Sequence, residues 1–373
     1  MSRIDDLISK HCPNGVDFQE IGNIWIRQDK SKWGVGQVQE LESGDNICFT
    51  SGNKVFYVKT YLVDDECLFM NDGGVADIKY YNGKACYTDH VFAFSIQKDK
   101  GLLTKFVYYV LKNNQNYINE FLFKGAGLKN LNKKDFAKFQ VPVPPLPVQE
   151  EIVKILDSFT ELEAELEAEL EARKKQYEHY RDKLLNPENM GNNTKIMKLE
   201  EVVSISRGKR VVKQQLEQND NGYPVYQNSL TSLGYYDKSN CSANTPFVIS
   251  AGAAGDIGYS NIPYWAADDC LYFSNEENIK PRYLYFFLMS KQKFIKSFVR
   301  KASIPRLSRN VLEKLLIPVP SLEEQERIVS ILDKFDALVN DISKGLPAEI
   351  NARKQQYEYY RDKLLDFKRL PNE

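Results

Sequence analysis

Cysteine and histidine are too scarce and too scattered in this sequence to predict a metal site or a disulfide framework. Six cysteines occur in 373 residues, no two of them form a CxxC pair, and the three histidines lie far apart. This spacing is typical of reduced thiols that pack as small apolar side chains. We therefore expect no metal site in the chain.

Long apolar runs are missing as well. No stretch of roughly 18 or more consecutive apolar residues occurs, so no transmembrane helix is predicted. The N-terminal residues MSRIDDLISKHCPNG lack the apolar segment of a signal peptide. These two absences predict a cytoplasmic protein with no membrane partner.

A GxxxxGK[ST] phosphate loop is also absent, so nucleotide hydrolysis is not expected of this chain.

The net charge of −1 conceals an uneven distribution of charge along the chain. Residues 195–316 contain 17 lysines and arginines against 11 acidic residues, whereas residues 148–194 contain 6 against 12. Residues 1–140 are nearly balanced, at 18 against 17. A basic module beside an acidic helical one is compatible with nucleic-acid binding by the first and protein contacts by the second. Any nucleic-acid surface in residues 1–140 must then be a local patch.

The sequence reads as two copies of one unit. VPVPPLPVQEEIVKILDSF (141–159) returns as IPVPSLEEQERIVSILDKF (317–335), and ARKKQYEHYRDKLL (172–185) returns as ARKQQYEYYRDKLL (352–365). Further upstream, residues 71–95 align with residues 250–274. Each copy consists of a globular segment, a proline-rich junction and a helix. A period of about 180 residues indicates a tandem duplication rather than a solenoid of short repeats.

Each globular segment is predicted to be α+β. Short β-branched and aromatic runs such as HVFAFSI and TPFVIS are separated by Gly, Asn and Asp, as in strands joined by turns. One helix interrupts each copy, TKFVYYVLKNNQNYINEF in the first and PRYLYFFLMSKQKFIKSFV in the second, where Pro281 suits the first helical turn. The junctions PVPPLP and PVPSLEEQ are expected neither to continue a strand ladder nor to enter a helix interior.

Apolar residues after each junction recur at spacings of three and four. The stripe is too long for an ordinary globular helix and fits a coiled-coil arm. In the first copy it contains Ile152, Leu156, Phe159, Leu166, Leu170, Tyr177, Tyr180 and Leu184. In the second copy it contains Ile328, Leu332, Phe335, Leu338, Tyr357, Tyr360 and Leu364. Gly345 and Pro347 are expected to break or kink the second helix. Two such stripes in one chain most economically bury each other.

The whole chain resembles the DNA-specificity subunit of type I restriction-modification systems. The resemblance rests on two variable globular segments, each followed by P-x-P-x-x-x-x-Q-E-x-I-V-x-I-L-D and then A-R-K-x-Q-Y-E-x-Y-R-D-K-L-L. It implies two similar target-recognition domains, separated by two conserved helices that form a long antiparallel coiled coil, in a pseudo-twofold tandem duplication. On this basis we expect domain 1 at residues 1–145, spacer helix 1 at 146–190, domain 2 at 191–320 and spacer helix 2 at 321–373.

The resemblance also implies that this chain catalyses no reaction by itself. Each domain would read one half of a bipartite asymmetric site in double-stranded DNA, at a separation set by the helices. The subunit would need no cofactor and would recruit two methyltransferase subunits, which methylate adenines with S-adenosylmethionine, and one or two ATP-driven restriction subunits. Two alternatives stay open: a recognition adaptor of another methyltransferase-based defence complex, and a fused DNA-modification enzyme.

Two motifs that suggest catalysis are better explained otherwise. FKGAG (123–127) resembles a loop that holds S-adenosylmethionine, but a helical pattern precedes it and the second copy has RKASI (300–304) in its place. Asp64, Asp77 and Lys79 suggest the D…D-x-K of a metal-dependent nuclease, but the second copy has Gly258 where Lys79 stands. We expect Asp77 to serve at a strand edge or a turn.

Candidate DNA contacts come from basic and aromatic residues in predicted loops. Arg207, Lys209 and Arg210 flank Gly208, which would let the backbone approach a phosphate while an arginine reaches a guanine edge. A solvated basic surface is the alternative, and for the aromatic loops Tyr80-Tyr81-Asn82 and Gly234-Tyr235-Tyr236, core packing. The candidates in the first copy are Lys79, Tyr80, Lys84, Lys124, Lys129, Lys133 and Lys134. Those in the second copy are Arg207, Lys209, Arg210, Lys213, Lys301, Arg306 and Arg309.

Overall fold

The globular parts mix strands with short helices, and long helices follow them. The computed structural model describes residues 3–191, 193–216, 222–275, 277–341 and 343–371. The helices are α1 (Arg3–His11), α2 (Val35–Gln39), α3 (Thr104–Asn113), α4 (Gln115–Tyr117), α5 (Lys133–Phe136), α6 (Leu146–Leu184), α7 (Leu199–Val202), α8 (Lys213–Leu216), α9 (Pro281–Ser297), α10 (Arg309–Glu313), α11 (Leu322–Asn340) and α12 (Leu346–Leu365). Within the described residues, no helix is long and apolar enough to cross a membrane.

The strands fall into the two halves of the chain. Those of the first half are β1 (Asp17–Glu20), β2 (Trp25–Arg27), β3 (Ser43–Phe49), β4 (Val55–Val58), β5 (Val63–Asn71), β6 (Ile78–Tyr87), β7 (Val91–Ile96), β8 (Phe123–Lys124), β9 (Asn130–Leu131) and β10 (Gln140–Val143). Those of the second half are β11 (Lys195–Lys198), β12 (Val203–Arg207), β13 (Tyr223–Tyr226), β14 (Tyr235–Tyr236), β15 (Thr245–Ile249), β16 (Ile257–Ser260), β17 (Trp265–Ala266), β18 (Cys270–Asn275) and β19 (Leu316–Val319).

The chain folds into two compact units. The first unit consists of residues 1–165 and 350–373, and the second consists of residues 166–349. The main sheet of the first unit has the order β2-β7-β5-β6-β3-β4, and that of the second unit has the order β12-β18-β15-β16. The first four strands of the first order match the second order one for one. The predicted tandem duplication of an α+β unit is therefore confirmed.

One helix covers each main sheet and supplies much of the core. Phe106, Val107 and Leu111 of α3 are buried against β5 and β6. In the second unit, α9 packs on β15 and β16 and buries Phe286 and Phe287. Pro281 occupies the first turn of α9, as predicted. Because each of these aromatic side chains is almost wholly removed from water, each contributes about 2 to 3 kcal/mol of transfer free energy.

The long helices differ in continuity between the two copies. Helix α6 runs unbroken for 39 residues, from Leu146 to Leu184. In the second copy, α11 ends at Asn340 and α12 begins at Leu346, so the predicted break near Gly345 and Pro347 is confirmed. A Cβ atom at Gly345 would lie 2.5 Å from the carbonyl oxygen of Ala337, so the tight turn after α11 has no room for a side chain.

Each unit contains helical segments from both copies of the repeat. In the first unit, the start of α6 packs against α12: the ring of Phe159 stacks on Tyr360 at 5.6 Å, and Glu163 pairs with Lys354 at 3.3 Å. In the second unit, the end of α6 packs against α11, where Tyr180 stacks on Phe335 at 5.4 Å. In each unit, therefore, the repeated helix of one copy (172–185 or 352–365) packs against the helix that follows the proline-rich junction of the other copy.

The predicted stripe is buried to different degrees along its length. Ile152, Leu156, Ile328 and Leu332 are fully buried, because here the helices lie on the globular cores. Leu166, Tyr177 and Leu364 are also buried, and Leu170, Leu184, Phe159, Phe335 and Tyr357 are partly buried. Tyr180, Leu338 and Tyr360 keep more than a third of their surface exposed, so they lie at the margin of the helix contacts.

A buried glutamine fixes the start of each long helix. The Gln149 amide donates to the carbonyl oxygens of Pro144 and Gly101, and its oxygen accepts the Leu103 N–H at 2.9 Å. In the second unit the Gln325 amide donates to Pro320 and Asn278, and its oxygen accepts the Lys280 N–H at 2.8 Å. Both side chains are completely buried. The glutamine of the repeated P-x-P-x-x-x-x-Q pattern thus joins the junction to the loop that precedes α3 or α9.

The expectation that the proline-rich junctions leave the strand ladder was wrong for two prolines. Pro142 lies in β10 opposite Phe18, and Pro318 lies in β19 opposite Ile196. Both strands belong to two-stranded antiparallel sheets. A proline is tolerated there because an edge strand has one side without a partner, and a missing N–H on that side breaks no ladder bond.

Candidate nucleic-acid interface

One edge of the main sheet in the second unit gathers the predicted basic loops. Strands β12 and β15 end at this edge, and β18 begins there, because neighbouring strands are antiparallel. The Gly208 N–H donates to the Cys270 carbonyl at 3.0 Å, which fixes residues 207–210 beside the start of β18. The Leu307 N–H donates to the Ser250 carbonyl at 2.8 Å, which fixes residues 300–309 beside the end of β15. We call these segments the arginine loop (207–210) and the hairpin loop (300–309).

Most candidate cations of the second unit are exposed at this edge. Arg207, Lys209, Arg210, Lys301 and Arg306 are all exposed, and none has an acidic partner within the part of the chain that the structure describes. The backbone N–H groups of Arg300 and Arg306 each donate to the other's carbonyl, so residues 301–305 form a closed turn. Arg309 begins α10 and pairs with Glu313 at 2.7 Å. Lys213 begins α8, but its side chain lies outside the described residues.

Gly208 is required for the folding of the arginine loop itself. A Cβ atom at Gly208 would lie 2.2 Å from the Ala267 carbonyl oxygen and 2.3 Å from that of Ala266. The glycine is therefore required by close approach to the protein's own backbone, and the predicted approach to a phosphate stays a prediction. The Lys209 N–H donates to the Ala266 carbonyl at 2.9 Å and completes this contact. The arginine loop is consequently rigid at its base, while its three cationic side chains point into solvent.

At the corresponding edge of the first unit, two of the four predicted loop lysines are paired with the unit's own acidic residues. Lys133 pairs with Asp72 at 2.8 Å, and Lys124 pairs with Asp135. The segment containing them is held by the Leu131 N–H, which donates to the Asp72 carbonyl at 3.0 Å. Lys129 and Lys134 are exposed, with no acidic partner in the described ranges. The basic patch here is therefore smaller than in the second unit.

Two aromatic segments predicted as loops lie in strands. Tyr80, Tyr81 and Asn82 belong to β6, which pairs with β5 from Ile78 to Ala85, and Tyr235 and Tyr236 form β14. Strand pairing outweighs the turn preference of Asn82-Gly83, because Ile and Tyr favour a pleated, half-buried surface. Tyr80 is half-buried: its hydroxyl donates to Glu66 at 2.8 Å and the Lys105 ammonium lies 5.3 Å from its ring centre. Tyr80 is therefore a packed residue of a strand rather than a free loop side chain.

The other two candidates in β6 have neighbours in the same unit. Lys84 is exposed, and its ammonium lies 4.9 Å from the ring centre of Tyr61. The Lys79 ammonium pairs with Asp77 at 2.6 Å. Burial alone would raise the pKa of Asp77, but the hydrogen bonds and charges of Lys79 and Lys112 outweigh it and lower the pKa. Asp77 is thus a carboxylate held between two lysines, which agrees with a structural role at the strand edge.

The FKGAG segment forms a short hairpin. Strands β8 and β9 pair across it, with Phe123 opposite Leu131, and Gly125 adopts a φ of +148°. A cofactor loop of the expected type leaves a strand and opens a helix, whereas this segment follows a helical turn and returns as a strand. Among the described residues, no group of three or more His, Cys, Asp and Glu side chains is arranged to hold a metal ion.

The sequence reasoning missed two lysines. Lys30 and Lys32 are exposed in the loop after β2, with no acidic partner among the described residues. This loop leaves the strand that matches β12, so it is the first unit's counterpart of the arginine loop. The signal was present in RQDKSK (27–32), but Asp29 and two neutral residues interrupt its basic residues, so it lacks the concentrated positive run that marked RGKR in the second copy.

Comparison with known proteins gives matches over both halves of the chain. The family model described as the type I restriction modification DNA specificity domain matches residues 13–172 and again residues 192–352. A putative type I restriction enzyme specificity subunit of Haemophilus influenzae is 34% identical over 362 residues, covering 88% of this chain and 90% of that protein. The EcoR124I/EcoR124II specificity subunit of Escherichia coli is 33% identical over 296 residues and covers 72% of each chain.

A solved structure shares the fold. The crystal structure of the type I restriction-modification S subunit of M. genitalium superposes with a TM-score of 0.69, covering 95% of this chain and 97% of that one at 20% sequence identity. At that level of identity the match concerns the fold alone. It extends over both units and the helices that follow them.

Proposed function

We propose a function from one premise: this chain belongs to the type I restriction modification DNA specificity family, whose model matches both of its halves. The chain is the DNA-recognition subunit of a type I restriction-modification complex. It reads a bipartite asymmetric site in double-stranded DNA, one half-site with each unit. It recruits the methyltransferase and restriction subunits that act on that DNA.

The proposal rests on one observation: each unit has a basic edge, and different residues form it in the two units. Two units with the same strand order present different loops at the same edge, as expected of readers of two unlike half-sites. In the second unit the DNA-facing cations are Arg207, Lys209, Arg210, Lys213, Lys301, Arg306 and Arg309. In the first unit they are Lys79, Lys124, Lys129, Lys133 and Lys134, with Lys30 and Lys32 added from the structure. Lys84 lies opposite Asp64 at the other end of the sheet, so its proposed DNA contact is separate from this edge. Phosphate contacts by these residues hold the duplex, and contacts to base edges select the sequence.

Tyr80 is the weakest member of the proposed interface. Its ring packs beneath Lys105 and its hydroxyl bonds to Glu66. Its contribution is therefore to hold β6 against α3, so that Lys84 is presented at the surface of the same strand.

The functional division of the chain follows the repeat rather than the compact units. Residues 1–145 and 191–320 form the two target-recognition domains, and residues 146–190 and 321–373 form the spacer helices. The antiparallel packing of α6 on α12 supports a spacer whose length sets the distance between half-sites, since Phe159 meets Tyr360 while Glu163 meets Lys354.

The chain is proposed to be non-catalytic by itself and to need no cofactor. The glycines of FKGAG serve a hairpin, and Asp77 is occupied by two lysines. Two methyltransferase subunits, one for each half of the duplicated chain, and one or two restriction subunits supply the chemistry. The duplication supports two methyltransferase subunits. The chain contains two helix pairs with the same sequence pattern, so a subunit that recognises one pair can also bind the other.

Reconstitution tests this function directly. The purified chain alone should transfer no labelled methyl group from S-adenosylmethionine to DNA, and transfer should appear when the methyltransferase partner is added. Methyl transfer by the chain alone would instead identify a fused modification enzyme. Co-purification with a methylation complex that contains no restriction subunit would favour the adaptor alternative.

A further inference from the structure

Each unit carries a two-stranded hairpin beside the four strands that the main sheets share, and the two hairpins differ in sequence and in the sheet they join. In the first unit, residues 43–58 add β3 and β4 to the main sheet. In the second unit, β13 and β14 form a hairpin within a separate three-stranded sheet with β17. The Val225 N–H donates to the Gly234 carbonyl at 3.0 Å and the Leu233 N–H donates to the Val225 carbonyl at 2.8 Å. These bonds close a hairpin tip, which we define as residues 227–232.

The hairpin tip is fastened to the basic edge of the second unit. The Ala253 N–H donates to the Asn228 carbonyl at 2.9 Å, while the neighbouring Gly252 N–H donates to the Pro305 carbonyl at 3.1 Å. One turn therefore holds both the hairpin tip and the hairpin loop. The fit is close, because a Cβ atom at Gly252 would lie 2.9 Å from the Cβ of Asn228.

A second attachment joins the hairpin to the arginine loop. The Ala267 N–H donates to the Tyr226 carbonyl at 2.9 Å, immediately before the tip. The same Ala266–Ala267 backbone receives Lys209 and packs on Gly208. The tip is thus held between the two segments that carry the exposed cations.

The tip itself has polar and apolar side chains but no charge: its sequence is QNSLTS. Asn228 is exposed and Gln227 is half-buried, and neither side-chain amide has a hydrogen-bond partner among the described residues. The Ser229 hydroxyl donates to the Thr231 carbonyl at 3.1 Å and stiffens the turn. Leu230 is 44% exposed at the end of the tip.

This arrangement suits the major groove of DNA. The groove admits a two-stranded ribbon, and asparagine or glutamine amides pair with the N6 and N7 edge of adenine. An apolar side chain contacts the thymine methyl group in the same groove. Flanking cations bind phosphates and position the ribbon without selecting a sequence.

We propose that the hairpin tip enters the major groove at the second half-site, where the Asn228 amide, assisted by Gln227, selects an adenine. The inference rests on the proposed function, because it assigns specificity within the second half-site. In the first unit, β3 and β4 form the equivalent hairpin, but the sequence between them is TSGNK (50–54) in place of QNSLTS, which gives a physical reason for the two half-sites to differ.

The test uses the chain assembled with its methyltransferase partner. Methylation rates are measured on duplexes that carry each of the four bases in turn at every position of the second half-site. In Asn228→Ala, discrimination at one A·T pair should fall about 10- to 100-fold, the loss expected for one bidentate base contact. Selectivity at the first half-site and the salt dependence of binding should stay unchanged, since a neutral amide releases no counterions.

A second variant tests for a change in base preference rather than for a loss of discrimination. Asn228→Asp removes the amide donor and offers an acceptor, so preference at the same position should move from adenine towards cytosine, whose N4 amino group is a donor. Asn261→Ala is the matched control, because Asn261 is exposed in the turn after β16, at the other end of that strand from the basic edge.

The outcomes separate the inference from the function on which it rests. If the wild-type complex methylates no bipartite site, the proposed function itself fails. If the wild-type complex methylates such a site while Asn228→Ala and Asn228→Asp keep its second half-site, the hairpin assignment is overturned. Equal loss at both half-sites, or the same loss in Asn261→Ala, also counts against it.

Discussion

Single residues in the junctions govern how firmly each globular part is joined to its helix. Gln149 and Gln325 each make three hydrogen bonds while completely buried. Leucine at either position leaves backbone groups without partners in the interior. We expect Gln149→Leu or Gln325→Leu to lower the free energy of unfolding by about 2 to 5 kcal/mol, since each unsatisfied buried group costs roughly 1 to 3 kcal/mol. Thermal or denaturant unfolding measures the change.

The location of the defect is part of this prediction. Hydrogen exchange should accelerate around residues 101–103 in Gln149→Leu and around residues 278–280 in Gln325→Leu. Gln39→Leu is the control, because Gln39 is exposed at the end of α2. A loss in the control as large as that in either buried variant would show that the junction bonds are not responsible.

The arginine loop makes a residue-scale prediction about DNA affinity. Replacing Arg207 and Arg210 by Ala should weaken binding at the second half-site by about 1 to 3 kcal/mol if a base contact is lost. If only phosphate contacts are lost, affinity should fall on all sequences and the slope of affinity against salt should shrink. Titrations at several salt concentrations distinguish the two cases. A change in first half-site selectivity would contradict the assignment of the loop.

A matched pair of lysines in the first unit serves as the comparison. Lys124 and Lys133 already pair with Asp135 and Asp72, so Lys124→Ala and Lys133→Ala should change the salt slope less than the arginine variants do. An equal or larger change would mean that DNA breaks these pairs on binding.

At the scale of elements, the unbroken helix α6 contains a repeated tetrad. LEAELEAELEA spans residues 162–172 within the helix. One more tetrad adds about 6 Å of length and about 40° of rotation beyond a full turn, which leaves the apolar stripe nearly in phase. That length is of the order of one or two base-pair steps, since each base pair rises about 3.4 Å. Inserting LEAE after Ala168 should therefore keep both half-site sequences and lengthen the unspecified spacer between them by about one base pair.

Methylome sequencing of a strain that carries the insertion decides this prediction. An unchanged spacer would show that α6 does not set the distance between half-sites. Inserting two residues in place of four is the control, because it rotates the stripe by about 200° and should abolish assembly rather than lengthen the spacer.

The elements also show which features could be predicted from sequence. Helices α6, α9 and α11 were predicted because an apolar period of three to four residues over many turns has one structural solution. The strand β6 was missed at Tyr80–Asn82, because its conformation depends on pairing with β5 rather than on its own residues. Local rules likewise excluded Pro142 and Pro318 from strands, since an edge position cannot be recognised before the sheet is known.

The candidate interface was predictable in part for a related reason. A concentrated run of basic residues such as RGKR can be recognised from the sequence alone. The structure places it at the sheet edge together with residues 300–309. Whether a lysine is neutralised, as Lys133 is by Asp72, depends on residues about 60 positions apart in sequence. The hairpin tip gave no sequence signal at all, because QNSLTS is an ordinary turn composition and only its attachment to Gly252 and Ala253 gives it a place beside the cations.

At the scale of the whole molecule, the first unit depends on residues from the C-terminal part of the sequence. Phe367 contacts Phe106 of α3, the Val16 N–H donates to the Lys368 carbonyl at 2.9 Å, and the Arg361 guanidinium donates to Asn113 at 2.7 Å. Deleting residues 350–373 should therefore destabilise the first unit and spare the second. Hydrogen exchange resolved by segment measures this, and faster exchange in residues 222–275 than in residues 63–96 would contradict it.

The division of the chain into units has a consequence for the order of events on the ribosome. Multidomain chains usually complete their N-terminal domain first, at synthesis rates of roughly 5 to 20 residues per second. Here the second unit is contiguous and has all its residues once residue 349 has been made. The first unit must wait for α12, so after residue 165 leaves the ribosome its helix surface stays uncovered for about 10 to 40 seconds at those rates. The part of the protein that is made first is thus the last to close, and ribosome stalling between residues 166 and 349 would expose Phe159, whose ring otherwise packs on Tyr357 and Tyr360 of α12, to wrong partners.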